Sequence, residues 1–224
     1  MGKKVGRPDV RTGYDGWSEI YDHTANPLVA LDRRYTMDLL QPGHGERILD
    51  AGCGTGANLR AMLYVGSKPV GIDFSRGMLN VARRRLGSIP LAQADLNDPL
   101  PLQPELFDAV LCALVGEHLS NPGRFFLETY ESLVPGGRFV FSVFHPEMAA
   151  AGIEANFERD GVEYRLGAHR HTVHDYLTAV QDAGFERLRA YEFKGDDDLV
   201  SEVPSATKYV GQPLLLAIEA WRAV

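Results

Sequence analysis

Leu49-Asp50-Ala51-Gly52-Cys53-Gly54-Thr55-Gly56 reads as the end of a strand, a tight glycine turn and the entry to a helix. Glycine at 52, 54 and 56 lets the backbone turn sharply and approach a ligand without Cβ obstruction. Alone the motif is ambiguous, because Gly52, Gly54 and Ala57 also satisfy the dinucleotide-binding fingerprint. Asp50 argues for another ligand. A carboxylate beside the loop serves an anionic pyrophosphate poorly and a cationic group well.

Outward from this turn, short apolar runs alternate with amphipathic ones. Ile48-Leu49 opens a first strand and 58–65 reads as the helix after it; Pro69–Ile72 is a second strand. Ser75 caps a helix from Arg76 to Leu86, which Gly87 stops. Residues 90–92 form a short third strand and 107–111 a fourth. Asn121-Pro122 starts a helix to Leu133, a 134–137 turn follows, and 138–144 is a fifth strand. Such alternation predicts an α/β fold, with parallel strands and helices on both faces. After His145 the pattern changes. A hairpin is expected at 156–166 around Asp160-Gly161, within an insertion at 147–171 positioned as a lid. Thr172 and Asp175 form a capping-box pattern for a helix over 173–183, ended by Gly184. Two late strands, near 187–193 and 214–221, complete the chain. Residues 1–46 read as a largely helical cap, the Asp196-Asp197-Asp198 run as a solvated loop, and the whole as one domain over 1–224.

Further motifs recur at strand ends. Gly71-Ile72-Asp73-Phe74-Ser75 puts Asp73 23 positions after Asp50, near the βαβ distance for an acid that binds ribose hydroxyls, with Phe74 beside it. Gln93-Ala94-Asp95-Leu96 follows the third strand, where a carboxylate can accept from an adenine amine. Phe107 to Ala113 and Leu133-Val134-Pro135-Gly136-Gly137-Arg138-Phe139 complete the series. In this order and spacing the set resembles the class I S-adenosylmethionine-dependent methyltransferases, closely over about 45–145 and in plan after 172. The resemblance implies a doubly wound, seven-stranded sheet of order 3-2-1-4-5-7-6 with strand seven antiparallel. It implies S-adenosylmethionine as cofactor and a methyl transfer to a small-molecule acceptor. It also implies residue roles: Asp50, Gly52, Cys53 and Gly54 at the methionine end, Asp73 on the ribose, and Asp95 with Leu96 at the adenine; Phe74 can pack on the adenine face, and Met78 is a further cofactor-binding candidate. Cys112 and Ala113 would pass beneath the sulfonium. Tyr21 would close over the cofactor, although Tyr14, Trp17 and Tyr21 can equally be packing on the sheet.

Methyl transfer from a sulfonium is in-line, and alignment alone can lower a barrier by about 7–11 kcal/mol. A general base matters only if the acceptor must lose a proton. His118, after the fourth strand, and His145, ending the fifth, are the candidates, since ligands of open α/β sheets bind at those ends. The alternatives are a loop contact at a helix start for His118 and a fixed turn, through Pro146, for His145. His169, His171 and His174 lack the spacing and carboxylate of a metal site. No aspartate pair of the magnesium-dependent catechol type is evident, so no metal is expected.

Composition restricts partners. The net charge of -7 and the absence of a basic cluster beyond Arg83-Arg84-Arg85, a helix end, argue against nucleic acid. Two cysteines make neither a disulfide framework nor a four-cysteine zinc site. No apolar run reaches the roughly 18–20 residues of a membrane span, and no signal peptide or myristoylation pattern begins the chain. The expectation is a soluble cytoplasmic enzyme with no membrane partner. Two other readings stand beside it: a nucleoside-binding scaffold of the same fold, and an NAD-dependent oxidoreductase, against which Asp50 and Asp95 weigh.

Overall fold

The structure, a computed structural model, describes residues 4–224. Met1 and Gly2, which bear on the myristoylation reading, and the first residues of the 1–46 cap lie outside them.

The polypeptide runs β1 (Lys4–Gly6), α1 (Val10–Trp17), a 3-10 turn (Tyr21–His23), α2 (Pro27–Leu40), β2 (Arg47–Ala51), α3 (Ala57–Tyr64), β3 (Lys68–Asp73), α4 (Arg76–Leu86) and β4 (Leu91–Gln93). It continues with β5 (Phe107–Ala113), a 3-10 turn (Gly116–His118), α5 (Pro122–Ser132), β6 (Leu133–Phe144), α6 (Pro146–Ala150), β7 (Asn156–Arg159) and β8 (Val162–Arg165). Last come α7 (Val173–Asp182), β9 (Glu186–Lys194), α8 (Asp197–Glu202), a 3-10 turn (Pro204–Tyr209) and β10 (Pro213–Trp221).

Seven strands form one mixed sheet in the order β4-β3-β2-β5-β6-β10-β9, with β10 antiparallel to both its neighbours. The expected α/β sheet is therefore present. Its central strands are covered on both faces, as buried parallel strands require, while the edge strands β4 and β9 are largely exposed. Alternate residues divide the core: Leu49, Val110, Phe139 and Phe141 pack with Phe125, Phe126 and Tyr176 on one face. Ile48, Ala109, Leu111 and Val140 pack with Leu40 and Met62 on the other. The chain reverses direction across the sheet between β2 and β5, so their C-terminal ends open a crevice there.

Several expectations needed revision. The Val134–Gly137 turn is an excursion inside β6: Phe107 faces Leu133, but two residues later Ala109 faces Arg138. The acidic run is not a free loop, because Asp196 caps α8 by accepting from Leu199 N at 2.6 Å. Asp197 and Asp198 then occupy its first turn, where the helix dipole favours them. A second, three-stranded sheet, β1-β8-β7, joins the N-terminal segment to the hairpin. Three residues carry too little pattern to mark β1 in the sequence. The hairpin turns at Asp160 (φ 53°) and Gly161 (φ 73°), as Asp-Gly prefers.

Candidate active site

The glycine turn is fixed from below. Gly52 N and Cys53 N both donate to Ile72 O, at 2.8 and 2.9 Å, and Gly54 N donates to Asp73 Oδ2 at 2.8 Å. Gly54 has φ 50°, and a Cβ added there would meet no atom within 4 Å. That open space is a cavity of about 610 Å³. Of the predicted residues, Tyr21, Gly52, Gly54, Asp73, Phe74, Met78, Asp95, Leu96, Ala113 and His118 line it.

Its acids are differently placed. Asp73 is held by Ser75 N and Gly54 N, each at 2.8 Å, yet burial still raises its pKa to about 6. Asp95 accepts from Asn97 N at 2.9 Å and from Arg11 at 3.0 Å. Arg11 also lies over the Phe74 ring, 5.8 Å from its centroid. Asp50 lies outside the lining. It is buried at the end of β2, with no hydrogen-bond partner for either oxygen among the described residues. Burial, reinforced by Asp73 and Asp32, raises it to about 8. Two carboxylates and no lysine or arginine line the cavity.

Beyond β5 the chain forms the opposite wall. Leu114 adopts φ 56°, and Gly116 lets the following 3-10 turn press onto β6, since a Cβ there would stand 2.4 Å from the Phe141 ring. The turn is pinned by Asn97, whose side chain donates to His118 O at 2.9 Å and accepts from Ser120 N at 2.7 Å. His118 Nε2 and Tyr14 Oη are 3.0 Å apart. Burial lowers the His118 pKa and raises that of Tyr14, so both are neutral near pH 7 and share one hydrogen bond whose direction follows the imidazole tautomer. A second cavity, of about 990 Å³, adjoins the first. Tyr14, Tyr21 and Leu114 belong to both walls. Trp17, Phe144, Tyr209 and Glu117 add to the second.

Besides Asp50, three predicted residues are not brought to either cavity. The Cys53 side chain packs with Leu59 and Leu79 between α3 and α4. Cys112 is fully buried on the core face of β5, opposite Ala113 by strand alternation. His145 caps α6, its Nδ1 accepting from Glu147 N at 3.3 Å. Its ring is 1% exposed and its Nε2 points 3.9 Å from Glu192. The turn reading thus fits His145, and the expected catalytic placement is corrected: the antiparallel β10 covers the end of β6, with His145 N donating to Leu214 O at 3.0 Å. His171 Nε2 lies 2.7 Å from Leu119 O, so it braces the same turn as Asn97. Among the described residues no group of three or more His, Cys, Asp or Glu is placed to hold a metal. Nor is any helix there long and apolar enough to cross a membrane. The sequence leaves Tyr14 open between packing and the site, and nothing in it singles out Asn97. The one available signal was an aromatic series, Tyr14, Trp17 and Tyr21, in a segment outside the sheet.

An α/β sheet with a glycine turn at its switch point, acids at the ends of three successive strands and a cavity lined by two carboxylates defines a nucleoside-binding enzyme fold. Comparison with known proteins agrees. A family described as "Methyltransferase domain" matches residues 49–141. A demethylmenaquinone methyltransferase of Clavibacter sepedonicus is 36% identical over 152 residues, covering 64% of this chain and 60% of that protein. A ubiquinone biosynthesis O-methyltransferase of Thiobacillus denitrificans is 30% identical over 170 residues, covering 74% and 70%. The crystal structure of an S-adenosylmethionine-dependent methyltransferase from Mesorhizobium loti superposes with TM-score 0.74 at 26% identity, covering 88% of this chain and all of that one. The chain belongs to the class I S-adenosylmethionine-dependent methyltransferases. It spans 60–62% of the length of the first demethylmenaquinone methyltransferases that it matches. The residues present fit the family's cofactor: the Gly54 cradle is open, and the orphaned buried carboxylate of Asp50 suits an ammonium group.

Proposed function

We propose that the chain transfers the methyl group of S-adenosylmethionine to a small-molecule acceptor held in the second cavity. The observation that carries this reading is the shared wall: Tyr14, Tyr21 and Leu114 separate an anionic cavity from a larger one rich in aromatic side chains. S-adenosylmethionine, when bound, supplies an electrophilic methyl on a sulfonium. Asp73 would hold its ribose hydroxyls, Asp95, Leu96, Phe74 and Met78 its adenine, and the glycine turn over Asp50 its amino-acid end. Cys53 and Cys112 would act through their backbone, since their thiols face the core. The strand order, 3-2-1-4-5-7-6 when the seven strands are counted along the chain, suits this assignment, because it sets β2 beside β5.

The relatives named for demethylmenaquinone and ubiquinone biosynthesis favour an aromatic, quinone-type acceptor. The neutral Tyr14–His118 pair is the proposed proton path when the acceptor must lose a proton: the phenol accepts from the acceptor as it donates to Nε2. His145 has no part in it. Residues 147–171 would serve as the lid and the N-terminal segment as a cap, both within one domain. We place the reaction in the cytoplasm, with neither nucleic acid nor membrane as a partner.

The test pairs calorimetry of S-adenosylhomocysteine with labelled methyl transfer to a panel of quinols and phenols. Binding together with transfer is expected. His118→Ala should then slow transfer to a hydroxyl by about 10²–10⁴-fold at saturating cofactor, whatever it costs in cofactor affinity from its place in the first cavity's lining. Binding without transfer to any member of the panel would favour a scaffold instead, and a loss of under about threefold in His118→Ala would remove the proton path.

A further inference from the structure

The second cavity contains a charged group that the proton path does not use. Glu117 is 6% exposed and lines this cavity, and its Oε2 is buried with no hydrogen-bond partner among the described residues. Its backbone oxygen already accepts from His169 N at 2.7 Å, so the unmet acceptor is the carboxylate Oε2. A buried carboxylate oxygen left without a donor is among the costlier defects a fold can carry. Its negative charge raises the pKa of both Tyr14 and Tyr21, second only to burial, which sets the carboxylate beside the wall shared by the two cavities. It is not paired with the cation of this cavity: Lys208 lies over the Tyr209 ring, 4.8 Å from its centroid. The other acid in the lining, Glu154, is neutralised by Arg7 at 3.1 Å.

Resting on the reading of the second cavity as the acceptor site, we infer that Glu117 is the acceptor's anchor, and that the acceptor is an aromatic molecule presenting a neutral hydroxyl to its carboxylate. The missing donor identifies the group that must be supplied, an O–H or N–H. The charge around it selects between them. Glu154 is already paired with Arg7, so Lys208 in the lining and a sulfonium expected in the adjoining cavity leave Glu117 as the one unpaired acid against two cations, and a third cation is not called for. A neutral hydroxyl adds none. The aromatic side chains of Tyr14, Trp17, Phe144 and Tyr209 supply faces for a ring.

Three naphthalenes of similar size test this, each titrated into the full chain with and without S-adenosylhomocysteine: 2-naphthol, 2-methoxynaphthalene and 2-(aminomethyl)naphthalene. Naphthol should bind about tenfold or more tightly than its methyl ether, as a hydrogen bond to a charged group requires. Glu117→Leu should remove that preference and leave the ether unaffected. Glu117→Gln, closest in shape, should reduce it several-fold, which keeps the test available if the leucine variant does not fold. S-adenosylhomocysteine affinity in both variants should stay within about twofold of the parent, since Glu117 is absent from the first cavity's lining. Equal binding of naphthol and ether, an undiminished preference in both variants, or tighter binding of the amine would each overturn the inference. Failure of S-adenosylhomocysteine to bind the parent would instead sink the cofactor reading, and the naphthol preference measured without it would still decide the role of Glu117.

Discussion

Asp50 and Gly54 show how single residues prepare the site. Both Asp50 oxygens are buried without donors, and burial raises the group from 3.8 to about 8. A carboxyl with a raised folded pKa binds its proton more tightly folded than unfolded. Its stabilising effect is therefore complete below 3.8 and is lost as pH climbs through about 8. Unfolding measured across that window should give a falling melting temperature in the free protein, and a shallower fall in Asp50→Asn. An ammonium group brought over the loop favours the ionised form, so S-adenosylhomocysteine should displace a proton at pH 7. Calorimetry in phosphate and in Tris should then give different heats for the parent and matching heats for Asp50→Asn. Matching heats in the parent would mean that no proton leaves and that Asp50 does not face the ligand's charge. Gly54 is simpler. Its φ of 50° and empty Cβ direction mean that an added methyl enters the cavity rather than the protein. Gly54→Ala should remain folded, with a strain of about 1 kcal/mol, and weaken S-adenosylhomocysteine by tenfold or more. Undiminished affinity in the folded variant would place the ligand elsewhere.

Among the elements, those with their own start and stop chemistry were readable in the sequence. Ser75 caps α4 by accepting from Met78 N at 3.1 Å, and Thr172 and Asp175 form the reciprocal bonds of a capping box on α7. Strands β2, β3, β5 and β6 were legible because burial on both faces makes them continuous apolar runs. The short elements α6 and α8 were not, since five or six residues hold too little periodicity to separate from a loop. Nor was the connection between α2 and the site. Asp32 on α2 is buried, and its Oδ1 accepts from Thr36 at 2.5 Å and from Ser142 Oγ on β6 at 2.6 Å. Ser142 in turn receives Leu114 N through both its carbonyl, at 2.9 Å, and its hydroxyl, at 3.3 Å. Leu114, a leucine at φ 56° on the shared wall, is thereby fastened to a helix 82 residues earlier in the chain. Ser142→Ala removes a donor from a buried carboxylate and should cost about 1–3 kcal/mol in urea unfolding. A change below about 0.5 kcal/mol would show that Thr36 alone satisfies Asp32.

For the molecule as a whole, the sheet and glycine turn were foreseeable, but the covering of the site was not. It depends on contacts between segments about 140 residues apart, which no local pattern encodes. The α1 segment rests on α4 through Asp15, which accepts from Ser75 Oγ at 2.6 Å and Gly77 N at 2.7 Å. Asp22 accepts from Thr55 in the glycine turn at 2.9 Å and pairs with Arg85. On its other side Trp17 stacks on Phe157 at 5.0 Å, and a Cβ at Gly13 would stand 2.2 Å from Leu166. The ion pairs here contribute little: Arg84 and Glu19 are 57% and 69% exposed, and such pairs are worth at most about 1 kcal/mol. The small cluster of Trp17, Phe157 and Leu166 therefore holds the cover, against a far larger core behind the sheet. A cover with so little buried apolar contact should open well below the cost of global unfolding, and Tyr14 and Tyr21, which line the first cavity, should move with it. Amide exchange should thus be fast in residues 10–24 and 153–166 of the free protein and slow in β2, β5 and β6. Saturating S-adenosylhomocysteine should slow the first two segments together, because ligand contacts on one face of α1 stabilise its stacking on the hairpin from the other. The central strands, already limited by global unfolding, should change little by comparison. Protection confined to the glycine turn would show that the N-terminal segment and the hairpin do not close on the ligand. Protection of residues 10–24 alone would break the link between cap and hairpin that Trp17 and Phe157 are held here to make.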